Sequence, residues 1–330
     1  MSPQPSPEPA VVVRPRSEPR LLSVVAPLFN EEATLTEFHR RLSEIDYPCE
    51  VEFVLVDDGS RDGTPAMLAS LARADARVRP IRLSRNFGHQ AALTAGVDLA
   101  AGDVVVTIDA DLQDPPELIM ELISAWRAGG DVVFAVRRTR PGEAWYRALA
   151  ISVFYRVFGK LAQVEYKRNS GDFRLMDRVA VDSLKCLRER NRFLRGMSAW
   201  VGFEQRDVLY DRDVRFAGAS KYPLRKLFRL GIDALLSFSY MPLRLAAVLG
   251  SFMALIAFLA IPAIVLLRLI GQYEVRGIAS VHILILFVGG LQLMTLGIIG
   301  EYLGRNYDET KARPLYVIDP RFPATDQQRG

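Results

Sequence analysis

The chain has 330 residues, of which half are hydrophobic and 24% charged, and it carries a formal net charge of +4. This mixture excludes a disordered chain and a transporter built mostly of membrane helices, and it points to a water-facing domain with a limited apolar attachment. The two cysteines, Cys49 and Cys186, exclude a disulfide scaffold. So mild a positive charge does not signal nucleic acid, though it suits an anionic membrane surface.

Residues 1–19 hold six of the 19 prolines and no apolar period, which predicts a disordered cytoplasmic tail rather than a signal peptide. Strand and helix signals then alternate. Residues 21–27 (LLSVVAP) read as a strand and 31–45 as a polar-faced helix; 51–56 (VEFVLV) is a second strand, ending in Asp57-Asp58-Gly59-Ser60. Thr64 is expected to cap the next helix, with Pro65 at its first position. Residues 78–83 and 104–108 (VVVTI) give two more strands, with a helix at 90–100 between them. Asp114-Pro115-Pro116-Glu117 reads as a capping box, and 132–136 as a fifth strand. The alternation predicts an α/β domain whose mainly parallel sheet is covered on both faces.

The hydrophobic signal lies near the other end. Residues 245–267 are 23 uncharged positions between Arg244 and Arg268, and 277–300 are 24 between Arg276 and Glu301. Each exceeds the ~20 residues needed to cross a bilayer, and the short linker makes them a two-helix transmembrane hairpin. Lys221, Arg225, Lys226, Arg229 and Arg244 precede the pair, and Arg305, Lys311 and Arg313 follow it, which puts both ends in the cytoplasm. Residues 223–242, basic and apolar by turns, read as juxtamembrane amphipathic helices. The expected divisions are therefore 1–19, 20–222, 223–242, 243–303 and a cytoplasmic tail at 304–330.

Parallel α/β sheets bind ligands at the carboxyl ends of their strands, where Asn30-Glu31, Asp57-Asp58 and Asp109-Ala110-Asp111 all fall. In an extended turn Asp109, Asp111 and Gln113 could converge as oxygen ligands for Mg²⁺ or Mn²⁺, with positions left for phosphate oxygens. The same acids could equally cap and solvate the turn. Asp57 and Asp58 could accept hydrogen bonds from a base or ribose, or simply hold their turn with Gly59. No P-loop or dinucleotide fingerprint is present, and no nucleophile triad stands out. His39, His89 and His282 are scattered and read as structural.

The segments APLFNEE (26–32), VDDGSRDGT (56–64), DADLQDPPE (109–117), SGDFRLMDR (170–178), RFLRGMSAWVGF (192–203) and GASKYPLRKL (218–227) occur in order. Together they resemble family 2 glycosyltransferases of GT-A fold, specifically the polyprenyl-phosphate glycosyltransferases, and among these the bactoprenol glucosyltransferases and dolichyl-phosphate mannose synthases. The resemblance covers about 20–317. It implies that Pro27, Phe29, Glu31, Asp57 and Asp58 hold the nucleotide, and that Asp109, Asp111 and Gln113 hold the metal and diphosphate. It also implies that Arg137, with Arg138 and Arg140 close by, and Arg174 face the acceptor phosphate. Lys221 falls in a loop closing over the donor, and Arg192 and Arg195 either face the active site or form structural ion pairs. Asp172 lies where relatives with hydroxyl acceptors keep a catalytic Asp, and reads either as a base or as a partner that orients Arg174. The implied reaction moves a hexose, glucose from UDP-glucose first, to undecaprenyl phosphate at the bacterial plasma membrane; GDP-mannose and UDP-aminoarabinose are the alternative donors. A homo-oligomer, up to a tetramer, is implied as well, with 314–318 pairing onto a neighbouring subunit.

Overall fold

A computed structural model describes residues 16–138, 170–190, 192, 194–211, 241–270 and 278–322. The chain divides into two compact units. One comprises Met1–Leu149, Val164–Lys221 and Pro314–Gly330, and the other Ala150–Gln163 and Tyr222–Arg313.

The first unit is built on a seven-stranded sheet: β1 (Leu21–Leu28), β2 (Glu50–Asp57), β3 (Val78–Arg82), β4 (Val104–Thr107), β5 (Val132–Arg137), β6 (Ser170–Asp177) and β7 (Gln205–Tyr210), in the order β3-β2-β1-β4-β6-β5-β7. All run one way except β6, which is antiparallel to both its neighbours. The mainly parallel expectation holds. β6 and β7 are additions to it, because their charged residues hide the apolar runs that mark the other strands.

β1 is buried along nearly its whole length, as a strand covered on both faces must be. Its period of two sends Leu22, Val24, Ala26 and Leu28 to one core, with α1 (Leu35–Ser43), α2 (Thr64–Ala74) and α4 (Ile119–Arg127). Val25 faces the other core, with α3 (His89–Leu99), α5 (Arg178–Cys186) and α6 (Leu194–Trp200). Gly96 lets α3 approach closely: a Cβ there would lie 2.2 Å from Val25 Cγ1.

Two expected caps are not made as predicted. Thr64 is itself the first residue of α2, and its buried hydroxyl accepts the Glu31 N–H (2.9 Å), while Asp62 Oδ1 accepts the Thr64 N–H (3.1 Å). Asp114 is not the N-cap: a short 3₁₀ turn, Pro116–Leu118, follows Pro115, and Glu117 pairs with Arg41 (2.6 and 2.8 Å). The expected tail also ends earlier, since the Arg16 guanidinium sits over Trp126 (5.3 Å) and pairs with Asp131.

Segment 314–322 belongs to this unit. It pairs with the end of β3 in the same chain, Leu83 opposite Ile318.

Among the described residues, the second unit contains two helices, α7 (Met241–Leu269, with Pro262 inside it) and α8 (Ile278–Thr310). Phe287–Thr310 is long and apolar enough to cross a membrane; Ala246–Ala260 is apolar but shorter. Residues 223–240 lie outside the described residues, as do Arg140 and Lys221.

Candidate active site

Strands β1, β2 and β4 deliver their ends to one edge of the sheet, and the helices that follow start there. Because β6 is antiparallel, its beginning, with Asp172, lies at that same edge. A pocket of about 370 Å³ opens there, lined by Pro27, Leu28, Phe29, Glu31, Asp58, Asn86, Gly88, His89, Asp109, Ala110 and Asp111. Six residues singled out from the sequence thus share one cavity: Pro27, Phe29, Glu31, Asp58, Asp109 and Asp111.

Phe29 keeps 45% of its surface exposed, a free aromatic face. Asp58 is almost fully buried and accepts the N–H groups of Phe87 (2.7 Å) and Gly88 (2.9 Å). Burial raises its carboxyl pKa in spite of those two donors. Asp57 behaves differently. It is wholly buried, accepts the Ser60 N–H at 2.9 Å and faces Arg82 Nε at 3.1 Å, so it holds the loop rather than lining the pocket.

The Asp109–Gln113 turn is bent, not extended as expected: Leu112 has φ 58°, a strained conformation for a branched side chain. Asp111 Oδ1 accepts the Gln113 N–H (3.2 Å), and the Gln113 side chain is buried outside the pocket lining. Asp109 Oδ1 is buried without a hydrogen-bond partner. Enclosure pushes the Asp109 pKa up to about 6; Asp172, Asp111 and Asp114 add to the rise, and His89 opposes it. An unsatisfied carboxylate oxygen among acidic neighbours is a donor set that suits a divalent cation.

His89 is the pocket residue that sequence reasoning passed over. Its Nε2 lies 3.2 Å from Asp172 Oδ2 and 3.5 Å from Asp109 Oδ1, and the three side chains form a group able to hold a metal ion. Desolvation lowers its pKa, but the hydrogen bond to Asp172 and the charge of Asp109 prevail and raise it. His89 opens α3 at the sheet edge where the aspartates lie, and no motif in the sequence marks it.

Arg174 corrects one expectation, and Asp172 takes the second of its two readings, the partner of Arg174. Arg174 pairs across to Thr107 and Phe134 in mid-sheet and is 1% exposed. Its guanidinium donates to Asp172 Oδ1 (2.9 Å), the Leu194 carbonyl (3.0 Å) and Ser198 Oγ, so it is a buried structural cation and not a free phosphate ligand. Asp172 also receives Arg195 Nε (2.9 Å) and Nη2 (2.7 Å). Burial would raise its pKa, but His89, Arg195 and Arg174 hold it well below the ordinary carboxylate range. A carboxylate so bound is a weak base. Of the other arginines, Arg137 donates to Tyr210 Oη (3.0 Å) and Asp114 Oδ2 (3.1 Å), Arg138 is exposed beside Asp211, and Arg192 donates to the Leu184 carbonyl.

Residues 23–184 match the family model described as Glycosyl transferase family 2. An uncharacterized glycosyltransferase of Synechocystis sp. is 45% identical, over 90% of this chain and 94% of its own. A bactoprenol glucosyl transferase of Shigella phage SfX is 42% identical, over 91% of this chain and 99% of its own. Among solved structures, the mannosyltransferase PcManGT from Pyrobaculum calidifontis, in complex with GDP-Man and Mn²⁺, covers 90% of each chain with 19% identity and a TM-score of 0.46. With a relative 45% identical across nearly the whole length, and a strand-end pocket that gathers the acidic residues of its motifs, the chain belongs to glycosyltransferase family 2.

Proposed function

We propose that this glycosyltransferase moves glucose from UDP-glucose to the phosphate of undecaprenyl phosphate, with inversion at the anomeric carbon, on the cytoplasmic face of a bacterial plasma membrane. The observation that carries the reading is the pocket, where an exposed aromatic ring, a buried carboxylate and the Asp109–Asp111 pair meet in one cavity. The 42% identity to a bactoprenol glucosyl transferase supports the choice of acceptor and sugar.

Each group has a role that its chemistry suits. The Phe29 ring stacks on the base, and Asp58 and Glu31 accept from base or ribose. Asp109 and Asp111 would hold Mg²⁺ or Mn²⁺, with His89 as a further donor close by, and the Asp109 Oδ1, buried without a hydrogen-bond donor, fits this. Such an ion, when bound, offsets the charge that gathers on the leaving diphosphate. The acceptor needs no base, because a phosphate monoester, with its second pKa near ~6, is largely dianionic at pH 7. The saturated state of Asp172 agrees with that. Arg137, steadied by Asp114 and Tyr210 at the end of β5, is the guanidinium for the acceptor phosphate, with Arg138 next to it. Lys221 closes over the donor.

Helices α7 and α8 would form the membrane hairpin. Both are apolar around their circumference and leave large side chains exposed, among them Phe252 and Phe258 on α7 and Leu293 and Leu296 on α8. Charges return on α8 at Glu301, directly after the apolar stretch, where it pairs with Arg305 one turn on (3.1 Å).

Thermal protection tests the donor: UDP with Mn²⁺ should raise the melting temperature of the detergent-purified protein more than GDP does, and EDTA should remove the effect. Protection by GDP alone would move the protein to a mannosyl donor, and protection by neither nucleotide would overturn the reading.

A further inference from the structure

The C-terminal segment reaches the pocket through one arginine. Past α8, residues 314–322 run along the end of β3, the outermost strand of the sheet. The Ser84 N–H donates to the Val317 carbonyl and the Asp319 N–H to the Arg82 carbonyl, both at 2.8 Å. Phe322 packs onto the core and takes the Arg82 guanidinium over its ring at 5.7 Å. The segment thus fixes both the backbone and the side chain of Arg82.

Arg82 in turn faces the loops of the site. Its Nε lies 3.1 Å from Asp57 Oδ2 and its Nη2 3.4 Å from the Ser60 carbonyl. Asp57 is wholly buried and needs that countercharge. Through its other oxygen it holds the Ser60 N–H, and Ser60 Oγ accepts the Asn30 N–H at 2.9 Å. Asn30 has φ 56°, a left-handed turn conformation that asparagine adopts readily, and its chain neighbours Phe29 and Glu31 line the pocket. Contacts therefore run unbroken from Phe322 through Arg82, Asp57 and Ser60 to the pocket wall.

We propose that segment 314–322 braces the nucleotide-binding loop, with Arg82 and Phe322 as positioning residues that set donor affinity. The inference rests on the reading of the pocket as a nucleotide-sugar site. The test uses the full-length protein in detergent with Phe322→Ala, Arg82→Ala and the conservative Phe322→Trp. Phe322→Ala should raise the donor KM and weaken UDP binding about five- to tenfold, leaving kcat and acceptor KM within about twofold. Arg82→Ala should act in the same direction and at least as strongly, and Phe322→Trp should restore most of the loss. Amide exchange at residues 29–31, measured without nucleotide, should speed up in Phe322→Ala. Unchanged exchange there, or equal rises in both KM values that Phe322→Trp fails to repair, would overturn the brace. A wild-type protein that binds no nucleotide would instead overturn the reading of the pocket, and the exchange measurement would still decide the brace.

Discussion

Arg195 grips Asp172 with two hydrogen bonds, Nε to Oδ1 at 2.9 Å and Nη2 to Oδ2 at 2.7 Å, while Arg174 reaches the same carboxylate from within the sheet at 2.9 Å. One buried anion thus answers two guanidinium groups and also orients His89 toward Asp109. The cluster is a scaffold for the site more than a reagent in it.

Asp172→Asn should therefore unfold early. Asp172 and Arg174 are 2% and 1% exposed, and stranding one member of a buried pair costs about 3–5 kcal/mol. Arg174→Ala should do the same. Arg195→Ala should cost less, since Arg195 is 32% exposed and Arg174 still holds the carboxylate. Melting temperatures check this; Asp172→Asn melting within about a degree of wild type would remove the scaffold role.

Asp111→Asn and Asp109→Asn should behave in the opposite way, losing transfer by about 100-fold or more while melting as wild type does. Near-normal turnover by either would dismiss it from the site.

His89→Ala should slow turnover by about 10- to 100-fold, the usual range for a residue that supports a metal site, and weaken Mn²⁺ binding measured by titration. Its side chain is 45% exposed, so the fold should tolerate the loss. Unaltered Mn²⁺ affinity together with unaltered rate would show that its position beside Asp109 is incidental.

Gly96→Ala tests the packing that carries α3 and His89. The added methyl would lie 2.2 Å from Val25 Cγ1 and 3.2 Å from Val56 Cγ2, an overpacking expected to cost about 1–3 kcal/mol. Trimming the neighbour, as Gly96→Ala with Val25→Ala, should recover part of it. A stable single variant would mean that the helix can shift without cost.

Strands β1, β2, β4 and β5 were legible because each is built around a short apolar run, the pattern of a strand buried on both faces, while β3 (VRPIR), the edge strand, interleaves arginines. β6 was not, although SGDFRLMDR was recognised as a motif: a central strand with Asp172 and Arg174 inside it has no apolar signature, and its countercharge Arg195 is 21 residues downstream of Arg174. The aspartates at the strand ends were readable, since position after a strand fixes where a side chain lands. His89 has no motif around it, and only the return of the chain to the same sheet edge brings it to Asp109. The caps assigned to Thr64 and Asp114 failed because tertiary partners, the Glu31 N–H for one and Arg137 with Tyr210 for the other, claim those side chains.

The central claim is tested most directly with purified full-length protein in detergent, undecaprenyl phosphate, Mn²⁺ and radiolabelled UDP-glucose, by following label into the organic phase. The account predicts label in the lipid fraction that disappears with EDTA and with Asp111→Asn. Label that stays in the aqueous phase with UDP-glucose, and with every other nucleotide sugar tried, would contradict it.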